Sequence, residues 1–84
     1  ESGMLADFEA LFERIAAQAW EYKHNERWHD GNGFSHVRAA LLGPSVSVPF
    51  VDGKLTLGTW QEIAFLDFDN RPRDRRIIVQ MVGD

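Results

Sequence analysis

The apolar residues of this chain change their repeat at Gly43-Pro44: before it they recur every three or four positions, after it every second position. The first spacing sets side chains on one stripe of a helix, and the second sets them on one face of a strand. An α+β chain is expected, two helices first and an antiparallel β-meander after them. Between positions 4 and 20 the stripe is Leu5, Phe8, Leu11, Phe12, Ile15 and Ala19, with Asp7, Glu9, Glu13 and Arg14 facing away. Ser2 can cap this helix, although no Glu or Gln follows at the capping-box position. The stretch from Glu21 to Phe34 has no periodicity and reads as a polar, aromatic, glycine-bearing loop. Ser35 can cap a short second helix over 36–42, which Gly43-Pro44 ends.

Past Pro44, Val46, Val48 and Phe50 alternate with Ser45, Ser47 and Pro49, and Asp52-Gly53 supplies a tight turn into Lys54-Leu55-Thr56-Leu57. This is a hairpin, with Pro49 confined to an edge or a bulge because it cannot donate to a ladder. Segments 60–68 and 75–82 read as two more strands around Asp69-Asn70-Arg71-Pro72-Arg73-Asp74. The run Ile77-Ile78-Val79-Gln80-Met81-Val82 is apolar on nearly both faces, the pattern of a strand covered on each side. Two short helices cannot cover that much apolar strand surface. The missing cover is expected to be another subunit, an absent N-terminal half, or both.

With 84 residues the chain is one domain, and a domain this size buries only about 60% of its unfolded surface. There is no cysteine, so disulfide frameworks and thiolate metal cages are excluded. Thirteen acidic against nine basic residues give a net charge of −4, which argues against nucleic acid or an anionic membrane as partner. No apolar run approaches the roughly 18 residues of a membrane span, and no signal peptide is seen, so a folded cytoplasmic domain is expected. The start at Glu1-Ser2-Gly3, with Met4 not first, leaves room for a segment of something longer.

Four groups of residues can carry chemistry. His24, His29, Asp30 and His36 gather imidazoles and a carboxylate, the common ligands of zinc and related divalent ions. His24 and His36 lie twelve apart across a glycine loop, so they converge only if the loop folds back; otherwise they are solvent-exposed loop histidines. His29 is expected to face solvent. Gly31-Asn32-Gly33 opens onto a helix whose free amides can bind phosphate, although it lacks the P-loop signature and its glycines serve equally to permit positive φ. Arg71, Arg73, Arg75 and Arg76 offer forked donors to phosphate oxygens. Asp67, Asp69 and Asp74 are interleaved with them, so most of the four read as a solvated tip. In Gly58-Thr59-Trp60-Gln61, Thr59 and Gln61 offer directional hydrogen bonds while Trp60 reads as core.

Taken in order, Tyr22-Lys23-His24-Asn25, Asp30-Gly31-Asn32-Gly33, the run from His36 through Gly43-Pro44-Ser45, Leu57-Gly58-Thr59-Trp60-Gln61 and Arg71-Pro72-Arg73 resemble the YjbQ family, described as secondary thiamine-phosphate synthases. The resemblance covers essentially all of 1–84 as one YjbQ-like domain. Members of that family are about half as long again, and Glu1 matches the Glu of an Asn-Glu pair that closes their N-terminal part. The chain therefore resembles a C-terminal portion. A departure is Phe34, where a histidine is expected in many relatives.

The resemblance implies an α+β fold assembled as a homotrimer, with sites near subunit boundaries. It implies a transferase that joins a pyrimidine pyrophosphate to a thiazole phosphate with loss of pyrophosphate, on a native substrate that can differ. Carried over by residue, His24, His36 and Asp30 are the expected catalytic residues. His24 and His36 are the expected ligands of a divalent metal, zinc or magnesium. Gly31, Asn32, Gly33, Thr59, Gln61 and Arg73 are the expected contacts of a phosphorylated ligand. Arg73 is expected to lie near Thr59, with an anion between them and the Gly31-Asn32-Gly33 amides. The alternative is a trimeric small-molecule or metal-binding protein without turnover.

Overall fold

The computed structural model describes residues 2–83, and Glu1 lies outside them. Helix α1 is Ser2–Ile15, α2 is Lys23–Trp28 and α3 is Gly33–Leu42; strands β1, Phe50–Val51, and β2, Lys54–Leu55, close one short hairpin. The mixed α+β character is as expected. The helix count is not: the polar loop contains a third helix, and α1 ends before the stripe does, with Ala16 and Ala17 packed beneath it in a turn.

Helix α2 lacks apolar periodicity because it presents no stripe to a core; none of its residues is buried. Its end is set by His29, whose left-handed φ of 56° lets its N–H reach the Asn25 carbonyl at 2.8 Å. Helix α3 starts two residues before the expected Ser35 cap. Asn32 is its N-cap residue, and Ser35 Oγ donates back to the Asn32 carbonyl at 2.9 Å. Gly43, with φ 79°, ends α3 as the Gly-Pro pair predicts.

Asp52 and Gly53 both take positive φ, 52° and 75°, the primed turn that matches strand twist. The register pairs Phe50 with Leu55 and Val51 with Lys54. Pro49 serves through its carbonyl alone, which accepts the N–H and the hydroxyl of Thr56, each at 2.9 Å.

The rest of the expected meander does not form within this chain: 60–68 and 75–82 carry no strand, and among the described residues no backbone hydrogen bond joins them. A pleated ladder is stable only with an apolar face to bury and further strands beside it. Here Ile78 is 89% exposed and Val82 81%.

What core there is sits at the junction of α1, α3 and Phe68. Phe12 packs on Phe68 with ring centroids 4.9 Å apart, and Phe34 is buried beside them. Arg38 seals the cluster, its guanidinium lying 5.1 Å from the Phe34 ring and 5.7–5.8 Å from Phe68 and Phe12. Its Nε donates to the Ala16 carbonyl at 2.9 Å and its terminal amine to Glu13, so one side chain ties the end of α1 to α3.

Candidate metal centre

Two helices and the turn between them bring the chemistry together. His24 lies in the first turn of α2, His36 in the first turn of α3, and Asp30 in the connection. The chain reverses there through two left-handed residues, His29 at φ 56° and Gly31 at φ 64°. The reversal is then pinned: the Gly33 N–H donates to Asn25 Oδ1 at 2.8 Å, and the Asn32 N–H to Asp30 Oδ1 at 3.0 Å. Gly33 is required by space. A Cβ there would stand 2.6 Å from the Cβ of Tyr22, and Tyr22 is itself fixed by its hydroxyl on the Ala17 carbonyl.

As a result His24 and His36 come together, ring centroids 4.4 Å apart and planes inclined at 58°. His24 Nε2 and Asp30 Oδ2 are 3.2 Å apart, and one donor atom from each of His24, Asp30 and His36 lies within 4.8 Å of the others. Two ligand atoms on a tetrahedral zinc stand about 3.4 Å apart. The His24–Asp30 separation already has that value, and rotation of the exposed Asp30 and His36 side chains can close the remainder. Two imidazoles and a carboxylate form a borderline N/O set suited to zinc-like ions better than to magnesium, which prefers oxygen alone. Asp30 is held below the ordinary carboxylate range, first by the Asn32 N–H and then by its hydrogen bond with His24, so it is anionic and ready to ligate at neutral pH.

The other expected residues fall in different places. His29 is exposed and serves as the C-cap of α2. The backbone N–H groups of Asn32 and Gly33 donate to the Asp30 carboxylate and to the Asn25 side-chain oxygen. The Asn32 side chain reaches Asp69 at 3.4 Å, while its buried Oδ1 has no partner among the described residues. Gln61 Oε1 accepts the Gly58 N–H at 2.7 Å, and Gln61 and Trp60 line an open recess of about 490 Å³ with Val46, Val48 and Leu57. Thr59 makes no hydrogen bond among the described residues, and nothing links it to Arg73. Trp60, read as core, is 94% exposed. Position 34 points away from the histidines: Phe34 is buried under Arg38, two residues and so about 200° around the helix from His36.

The arginine tip divides by commitment. Arg75 gives Nε and a terminal amine to Asp67 and Asp69 at 2.9–3.3 Å. Arg73 gives only Nε, to Asp69 at 2.8 Å, which leaves its terminal donors without a protein partner among the described residues. Reading from sequence missed Asn25 and Asn70, whose short polar side chains look like ordinary turn formers, and read Asp69 only as a partner of the arginines rather than also of Asn32.

The model of the YjbQ-like UPF0047 proteins matches residues 1–84. The chain belongs to that family. Similar members include a UPF0047 protein of Archaeoglobus fulgidus, 48% identical over 95% of this chain and 61% of its own length. Another, from Methanothermobacter thermautotrophicus, is 45% identical over 99% of this chain and 56% of its own. The UPF0047 protein YjbQ of Escherichia coli O157:H7 is 31% identical over 93% of this chain and 56% of its own. The chain thus spans about six-tenths of the length of these UPF0047 relatives. No solved structure matches it.

Proposed function

We propose that the chain carries the metal-assisted half of a pyrophosphate-handling site, of the kind needed to join a pyrimidine pyrophosphate to a thiazole phosphate. The observation that carries this reading is the convergence of His24, Asp30 and His36 within 4.8 Å. A divalent ion held by these three side chains would supply positive charge where the leaving pyrophosphate gathers negative charge. Arg73 binds the same anion through its two free terminal amines, its Nε remaining on Asp69. In the reaction the bond from the pyrimidine methylene carbon to the pyrophosphate oxygen breaks, and pyrophosphate keeps the electron pair. The thiazole nitrogen lone pair then forms the new bond to that carbon. An electron-rich pyrimidine tolerates the charge at the methylene, so no protein nucleophile is needed, in keeping with a chain that has no cysteine.

Assembly belongs to this reading. The apolar run at 77–82 and the exposed Trp60 support a homotrimer that completes the site at a subunit boundary. Incubating the full-length protein with the two substrates and zinc or magnesium should yield thiamine phosphate, and His24→Ala or His36→Ala should abolish it. Substrate affinity without product would assign the protein to a binding role instead.

A further inference from the structure

The connection between α2 and α3 is gripped from a distant part of the chain. Asn70 Nδ2 donates to the Asp30 carbonyl oxygen at 2.9 Å, across forty residues of sequence, and stands 3.9 Å from where a side chain on Gly31 would begin. One residue earlier, Asp69 Oδ1 accepts from the Asn32 side-chain amide at 3.4 Å. Asp69 is well placed to anchor this contact, because its side chain is only 8% exposed and its other oxygen is clasped by Arg73 and Arg75 at 2.8 and 2.9 Å. Asp30 therefore has its carbonyl held by Asn70, one carboxylate oxygen held by the Asn32 N–H and the other turned to His24. Among the described residues, no other hydrogen bond from beyond α3 reaches the 29–32 turn.

We propose that Asn70 is a positioning residue: by holding the Asp30 carbonyl it keeps the third donor against the histidine pair, and so ties divalent-metal affinity to the arginine-bearing turn. This rests on the reading of His24, Asp30 and His36 as a metal set. Groups that hydrogen-bond a ligand residue without touching the ion change metal affinity by about 10- to 100-fold when removed.

The test is a cobalt(II) titration of the full-length protein, followed by the absorption of the coordinated ion, with Asn70→Asp, Asn70→Ala and Asn70→Gln. Asn70→Asp keeps the size and loses the donor; Asn70→Gln keeps the donor on a longer arm. Affinity should fall about 10- to 100-fold in the first two and recover in the third. Amide hydrogen exchange at Asn32, which needs no metal, should speed up in the same two variants. Equal cobalt affinity in all four proteins, or a change that Asn70→Gln fails to recover, would overturn the proposal, as would unchanged exchange at Asn32. If the parent protein bound no cobalt but Asn32 exchange still rose in Asn70→Asp, the metal reading would fall while the positioning of the turn by Asn70 stood.

Discussion

At the scale of single residues the site depends on contacts too close to tolerate substitution. Gly33→Ala would set its Cβ against Tyr22 at 2.6 and 2.8 Å, and the atoms it meets lie at the base of an anchored side chain. Overpacking of this kind costs about 1–3 kcal/mol, so the urea midpoint should fall, and the widened gap between α2 and α3 should weaken cobalt binding. Arg73 and Arg75 are committed differently, Arg75 to both Asp67 and Asp69 and Arg73 through Nε alone to Asp69. Arg73→Ala should weaken pyrophosphate binding by about 1.5–3 kcal/mol, the worth of a hydrogen bond to a charged group. Arg71→Ala and Arg76→Ala should do much less in the same titration; equal losses in all three would leave only diffuse attraction. Of the candidate site, the residue types were legible because imidazoles and carboxylates gathered in one connector are conspicuous. The approach of His24 to His36 with Asp30 near them was expected as well; the means was not legible, since it depends on His29 and Gly31 both turning left-handed and on an Asn25 side-chain oxygen, Oδ1, that no spacing rule announces.

Among the elements, the most legible are those that carry their own reason to form. Helix α1 shows its stripe, and the primed hairpin turn announces itself in Asp52-Gly53. Helix α2, only Lys23–Trp28, was illegible because a left-handed C-cap at His29 ends it and it buries no apolar face. The turn around Asp67, Asp69, Arg73 and Arg75 is held by charge, and its stability should follow pH accordingly. Asp67 is lowered chiefly by its hydrogen bond from Arg75 and then by the Asp69 N–H. Burial pushes Asp69 up, but the hydrogen bond and charge of Arg73, with the Arg71 and Asn70 amides, bring it below the ordinary value. Asp30 is lowered too. In each case the folded carboxyl binds its proton less readily than the unfolded one. The stabilisation is thus complete above the unfolded value of about 3.9 and is lost as pH falls through the folded values. Amide exchange at 67–75, followed from pH 6 down to pH 2, should show this turn loosening below about pH 4 once corrected for the intrinsic rate; loosening already at pH 6 would assign it to histidine instead.

For the whole molecule, dimensions decide between a finished globule and an unfinished one. A compact domain of this length has a radius of gyration near 12 Å, whereas the chain has 16.2 Å and extends 50 Å along its longest axis. Its accessible surface is 7951 Å², about 2,900 Å² more than a folded monomer of its mass would show. That excess is well above the roughly 800 Å² per partner of a standard interface. On the homotrimer proposed above, light scattering of the full-length protein at micromolar concentration should return the mass of a trimer; a monomer mass would refute it. The same arithmetic explains why the expected meander does not form in this chain: the run at 77–82 is apolar on nearly both faces, but the cover that such a strand needs is not written in the strand. The bare segment has one further consequence. Six consecutive uncharged residues, Ile77 to Val82, with no proline and strong β preference, are what a growing amyloid spine recruits. Arg73, Asp74, Arg75 and Arg76 stand directly before them, and charges in that position act as gatekeepers, so this turn also guards the chain against stacking on its own copies.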